Sequence, residues 1–165
     1  MRRIDRDVEL WVHGNCYVAA LALHRATGWE LGGLTAVRST RRGAQMAHAW
    51  VKDPSGRLWD AGGLIDAAEI HAEFITEREK PVTHETARFE TWSGEADYMT
   101  RHLELAGDWA DECRSWFASL EEKAEAMVRD VLLPRHPELA EAARRHAEKT
   151  DPWCAESEIE PEPIL

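Results

Sequence analysis

Cys16 stands between a turn signal, Gly14-Asn15, and an apolar run, Tyr17-Val18-Ala19-Ala20-Leu21-Ala22-Leu23, that closes at Thr27-Gly28. A thiol attacks carbon only as its thiolate, and the ordinary thiol pKa of about 8.5 leaves little thiolate at neutral pH. The local sequence addresses that shortage. Asn15 is a favourable helix N-cap, so Cys16 to Thr27 is predicted to be a helix stopped by Gly28. The aligned peptide dipoles of its first turn then favour an anion on Cys16. That turn also leaves backbone N–H groups unused by the helix, with the N–H of Cys16 the natural first donor to an oxyanion and the Asn15 side chain an additional one.

A nucleophilic thiol needs a group to take its proton and return it, and His48 and Asp60 are the candidates. They lie in two segments, Gln45–Lys52 and Arg57–Asp60, that flank Asp53-Pro54-Ser55-Gly56. This tetrad suits a type I turn with Gly56 in the left-handed position, so the segments are predicted to form a hairpin. With a loop of Pro54-Ser55-Gly56, Asp53 pairs with Arg57, Trp50 faces Asp60 and His48 faces Gly62. Even-numbered positions on both arms then share a face. His48 and Asp60 become diagonal neighbours, with Cβ atoms about 7–8 Å apart or less, within reach of a side-chain hydrogen bond. A loop one residue shorter or longer would put them on opposite faces.

The ordered set Gly14-Asn15-Cys16-Tyr17, His48-Ala49-Trp50-Val51 and Leu58-Trp59-Asp60 resembles the transglutaminase-like and papain-like cysteine enzymes. In those families a cysteine opens a central helix, a histidine lies on a following strand and an aspartate or asparagine on the next. The resemblance covers residues 8–63 and carries no counterpart for the second half of the chain. It implies a Cys16 nucleophile, a His48 base and an orienting Asp60, with attack on an amide or ester carbonyl to give a thioester. It departs from the papain pattern at position 10, where the oxyanion glutamine would stand and this chain has Leu10. Either Asn15 or another group takes over that donor, or the chain is not a papain-type protease.

Each residue also has a plainer reading. Cysteine is among the most buried residue types, a strand histidine is commonly a satisfied core residue, and Asp60 ahead of Gly62-Gly63 could open a turn. His13, Cys16 and His48 could gather around zinc, but a structural zinc site wants four ligands and the chain has no C-x-x-C, so no metal and no cofactor are expected. Trp50 could cover a substrate groove or pack against the helix. Cys113 reads as core and Cys154 as incidental. His24, His71, His84, His102, His136 and His146 form no constellation.

The positioning elements read as an α+β fold: a buried N-terminal helix packed on an antiparallel sheet, with C-terminal helices around it. A strand is expected within Trp29–Ser39, interrupted by Gly32-Gly33, and a turn at Thr40-Arg41-Arg42-Gly43. Leu64 to Arg78 reads as helical and Val82–Trp92 as extended. From Ala96 the pattern is helical, with Trp109, Cys113, Trp116, Leu120, Ala124, Met127 and Val131 as an amphipathic stripe that docks on the sheet or on a partner. Pro134 should end that helix, and Pro137–Lys149 should form the last one. A single domain over residues 1–150 and an acidic, Pro-bearing, mobile tail over 151–165 follow.

Composition bounds the rest. The chain has 165 residues, 44% hydrophobic and 31% charged, a globular balance with enough length for a core. Eight tryptophans suggest large aromatic anchors in the core or along a groove. A net charge of −11 repels phosphate backbones and argues against nucleic acid as partner. No run of 18 apolar residues is present, and no apolar segment follows the basic start. Three widely spaced cysteines make no disulfide framework, which points to a reducing cytoplasm. The expected partner is a peptide, a protein side-chain amide or a small amide or ester. Hydrolysis, deamidation and transamidation all remain open, as does a non-catalytic interaction protein using its tryptophans or its C-terminal helix.

Overall fold

A computed structural model describes residues 3–37, 44–76 and 87–151. Helices α1 (Glu9–His13) and α2 (Cys16–Thr27) lead into strands β1 (Glu30–Val37), β2 (Ala44–Lys52), β3 (Leu58–Asp60) and β4 (Gly63–Ile65). Helix α3 (Ala67–His71) runs on into a π-helical turn, Ala72–Thr76. Strand β5 (Arg88–Trp92) precedes α4 (Glu95–Ala106), α5 (Ala110–Met127), a second π-helical stretch at Val128–Leu132, α6 (Leu133–Arg135) and α7 (Pro137–Thr150). The fold is α+β: five strands form one sheet in the order β4-β3-β2-β1-β5, and every pairing is antiparallel.

Helix α2 begins at Cys16 and stops at Gly28 (φ 68°), the limits expected from its flanking residues. Its residues are apolar on nearly every side, and Cys16, Val18, Ala19, Ala20, Leu21, Ala22, Leu23 and Thr27 are buried. The helix packs on β1, β2 and β3 and is flanked by α5 and α7. At its far end Arg25 binds Glu95 on α4 together with Glu121 and Glu125 on α5. One guanidinium therefore joins three helices through its fixed fork of donors.

The β2–β3 hairpin has the expected register. Asp53 N–H donates to the Arg57 carbonyl at 2.9 Å, Lys52 pairs with Leu58 and Val51 with Trp59. Gly56 takes φ 88°, the left-handed conformation the three-residue loop requires. The Asp53 carboxylate holds this turn. It accepts from Ser55 N–H, Ser55 Oγ and Arg57 N–H through one oxygen and from Arg57 Nε and Trp59 Nε1 through the other. Burial works against its charge, but these donors outweigh burial and hold the pKa down at about 2.

Several elements differ from the expectations. Gly32-Gly33 does not interrupt β1; both residues are paired through it. A Cβ on Gly32 would lie 2.1 Å from Trp50 Nε1, so the missing side chain makes room for the indole on the neighbouring strand. Leu64 and Ile65 are strand rather than helix, because the helix starts only after Asp66, whose carboxylate and Glu69 close a reciprocal capping box. On α5 the buried face is Phe117, Ala124 and Met127, continuing into Val128 and Leu132, while Trp116, and Trp109 just ahead of the helix, are exposed. The helical run passes Pro134 directly after the π-helical stretch Val128–Leu132 and ends only at His136 (φ −124°, ψ 92°). The turn expected at Thr40–Gly43, residues 77–78 of the long helix, residues 82–86 of the extended segment and the tail beyond 151 lie outside the described residues. No helix among the described residues is long and apolar enough to cross a membrane.

Replacing Asp53 by Ala should destabilise the fold by roughly 1–3 kcal/mol for each buried donor left unpaired, measured by denaturant unfolding. The carboxylate's folded pKa lies below its ordinary value of 3.8, so its contribution is complete above that pH and is lost as pH falls towards 2. The Asp53→Ala protein should therefore lose less stability than the parent between pH 4 and pH 2.

Candidate active site

His48 lies on β2 beside an irregularity in the β1 pairing. Leu34 pairs with His48 and the next residue, Thr35, with Met46, so Ala47 is an extra residue on β2. A bulge of this kind bends the strand and re-aims the adjacent side chain. From there His48 reaches diagonally to Asp60 on β3, and its Nε2–H donates to Asp60 Oδ2 at 2.8 Å. The second carboxylate oxygen, Oδ1, accepts from Gly62 N–H at 2.8 Å. Both side chains are buried, His48 completely. Strand alternation and the closure of the three-residue loop thus bring these two residues into contact.

Cys16, buried at the first position of α2, acts on the same imidazole. Burial is the largest influence on His48 and pulls its pKa down. The hydrogen bond to Asp60 and the interaction with Cys16 together overcome burial and raise the pKa to about 9. Asp60 occupies Nε2, and Nδ1 is buried without a hydrogen bond of ordinary geometry. Nδ1 is therefore the nitrogen left to exchange a proton with the thiol. An imidazole charged at neutral pH, fixed by a carboxylate and facing a thiol, can hold a thiolate–imidazolium pair.

Asn15 occupies the N-cap position and is buried, but its side chain makes no capping hydrogen bond. Its N–H donates to the Leu10 carbonyl on α1, which fixes how the chain enters α2. Leu10 itself points to solvent. Trp50 is packed in rather than open: its indole crosses Gly32, and its ring centroid lies 6.2 Å from that of His48 and 5.6 Å from that of Phe89. It forms a wall beside the site and does not line an exposed groove.

The zinc alternative meets a different arrangement. His13 Nε2 is bound to Glu73 Oε1, and among the described residues no three His, Cys, Asp or Glu side chains come together as a metal-binding group. Cys113 is half-buried on α5, and burial raises its thiol pKa; Cys154 lies outside the described residues.

Two residues near the site escaped the sequence reading. Phe74 stacks flat on His48, with ring centroids 3.8 Å apart and planes 13° apart. It is carried by the π-helical turn, and nothing in Ala72-Glu73-Phe74 distinguishes a π turn from ordinary helix. His102 on α4 is buried between Tyr17 and Phe117, and burial pulls its pKa down to about 4. It is neutral at physiological pH and packs on the residue next to the thiol. Its helical, polar-flanked context carried no signal of this.

The ring protons of His48 should titrate near pH 9 in an NMR pH series, well above the ordinary 6.5. Because the folded pKa is raised, the stabilisation from this charge is complete below about 6.5 and is lost as pH rises through 9. Asp60→Asn should bring the midpoint down; an unchanged midpoint would mean the carboxylate has no hold on the ring. No protein-family model, curated protein or solved structure matches the chain.

Proposed function

We propose that this chain is a cysteine-dependent hydrolase or acyl transferase that works on an amide or ester through a Cys16 thioester. The observation that carries the reading is the buried His48–Asp60 hydrogen bond, with Cys16 acting on the same ring and Nδ1 left without another partner. A thiol opening a buried helix, a histidine on one strand and an aspartate on the next is the arrangement that the resemblance to transglutaminase-like and papain-like enzymes implies. A papain-like or transglutaminase-like core is part of the same proposal.

The steps follow from the positions. In the thiolate–imidazolium pair the thiol proton rests on His48 Nδ1, and the thiolate attacks the carbonyl carbon to give a tetrahedral oxyanion. The Cys16 N–H, unused within the helix, and the Asn15 amide supply hydrogen bonds to that oxygen. The C–N or C–O bond then breaks as His48 returns the proton to the departing amine or alcohol, leaving a Cys16 thioester. Water or an amine attacks the thioester, His48 takes the incoming proton, and collapse releases the acid or new amide and restores the thiol. Asp60 stays ionised throughout and holds the ring through Nε2. Substrates would be a peptide, a protein side-chain amide or a small amide or ester, in a reducing compartment such as the cytoplasm, which keeps the thiol free.

A second reading has its own observation. Cys16 and His48 are nearly closed to solvent, while Trp109 and Trp116 stand exposed on the helical half. A non-catalytic interaction protein would use those tryptophans and keep the buried trio only as packing.

Alkylation by iodoacetamide, with peptide mapping of each cysteine, separates the two. An enzyme should show Cys16 modified at pH 6 far faster than Cys113 or Cys154, whereas a binding protein should show no such preference. On an amide or ester substrate, Cys16→Ala should abolish turnover. Asp60→Asn should slow it by about 10- to 10⁴-fold, the upper end being the loss seen in serine triads, while the fold survives. Equal alkylation of all three cysteines at pH 6 overturns the proposal.

A further inference from the structure

We infer that Phe74 is a positioning residue for His48: its ring fixes the imidazole plane so that Nδ1 faces Cys16. The inference rests on the cysteine-enzyme reading above and deepens it.

The geometry is specific. The Phe74 and His48 rings lie 3.8 Å apart between centroids and 13° from parallel, and both side chains are fully buried. Other aromatic contacts among the described residues are tilted or edge-on, as Trp50 is to His48 and Trp92 is to Tyr98. A flat stack is the arrangement that restricts rotation of an imidazole about its bond to Cβ. Asp60 holds Nε2 at one point only, which leaves the ring free to rock about that hydrogen bond. A planar surface against one face removes the rocking motion. The two restraints together define where Nδ1 points.

The cover also acts on charge. A cation above an aromatic face is stabilised by the ring's quadrupole, so Phe74 favours the imidazolium over the neutral form. By excluding water it strengthens the attraction of His48 to the carboxylate on one side and the thiol on the other. The groups that act on the imidazole are Asp60 from β3 and Cys16 from α2, and beyond Phe74 lies the ring of His13, 5.9 Å away.

The local backbone supports the assignment. Phe74 sits in the π-helical turn Ala72–Thr76, a rare form of helix found mostly as single turns and frequently at functional sites. The preceding residue, Glu73, binds His13 on α1, the helix that leads through Gly14 and Asn15 into Cys16. The element carrying the cover of His48 is thereby tied to the element that delivers the nucleophile.

The test uses the full chain and the rate of Cys16 alkylation by iodoacetamide from pH 5.5 to 10, read by peptide mass mapping. Phe74→Leu and Phe74→Met keep apolar bulk and remove the plane; Phe74→Tyr keeps the plane. With His48 less able to hold the proton, the Leu and Met variants should react at Cys16 roughly tenfold more slowly at pH 6, the effect of one pKa unit. They should converge on the parent above pH 9, where hydroxide deprotonates the thiol without help. Phe74→Tyr should follow the parent throughout. A loss of equal size at every pH would make Phe74 a packing or access residue and overturn the inference, as would profiles that coincide with the parent. Should neither variant fold, NMR of the unmodified protein decides. A stacked His48 shows its ring protons shifted upfield by the Phe74 ring current, and unshifted protons overturn the inference. If the parent itself shows no preferential Cys16 alkylation at pH 6, it is the cysteine-enzyme reading that has failed.

Discussion

The Asp53 carboxylate takes hydrogen bonds from two backbone N–H groups, a hydroxyl, a guanidinium and an indole within the turn that follows β2. That saturation sets the loop at Pro54-Ser55-Gly56 and forbids the neighbouring lengths, since either change would break the Asp53–Arg57 closure. Side-chain direction alternates with period two along a strand, so the loop length decides which residues of β3 meet which residues of β2. Asp60 faces the same side as His48 only in the register that Asp53 imposes. A residue seven positions from the proposed acid thus governs whether there is a site at all, through covalent geometry and hydrogen-bond capacity alone.

The pair so assembled is buried, and burial makes it sensitive. Taking a carboxylate and an imidazolium out of water costs several kcal/mol per ion unless their remaining polar atoms are satisfied. Asp60 meets that condition: Oδ2 accepts from His48 and Oδ1 from Gly62 N–H. His48 meets it on one side only, because Nδ1 lacks a hydrogen bond of its own. An incompletely satisfied polar atom at the centre of a close-packed protein is expensive in stability terms, and such atoms are retained where chemistry uses them. The raised imidazole pKa states the same balance electrostatically, with two acidic neighbours outweighing the cost of burial.

The hairpin, the limits of α2 and the His48–Asp60 contact were legible because each follows from a short-range rule with one outcome. A left-handed glycine ends a helix, a type I turn with Gly56 closes a three-residue loop, and parity does the rest. What escaped depends on partners far along the chain. Gly32-Gly33 reads as a break until Trp50 is known to lie across it. Leu64-Ile65 reads as the start of a helix until its pairing with β3 and the Asp66 capping box are seen together. The exposed Trp109 and Trp116 fit a helical period as well as the buried Phe117 does, so periodicity could not choose the face. Phe74 depends on one extra residue in a helical turn, for which the amino-acid types carry no signature.

The helical second half, for which the resemblance offers no counterpart, has a physical role in the same scheme. A helix buried around its whole circumference cannot be covered by a sheet alone, because a sheet shields one side only. Helix α2 is such an element, and it meets β1–β3 on one side and α5 and α7 on others. Phe117, Ala124 and Leu139 bring apolar surface from those helices into the shared core. Arg25 then anchors the end of α2 remote from Cys16 by binding carboxylates on both α4 and α5, and His146 of α7 packs against Gly28. Without these helices α2 would expose leucines and alanines and would lose a fixed position on the sheet. The first residue of α2 is the proposed nucleophile, so residues 95–150 contribute to the site by holding the helix that presents it.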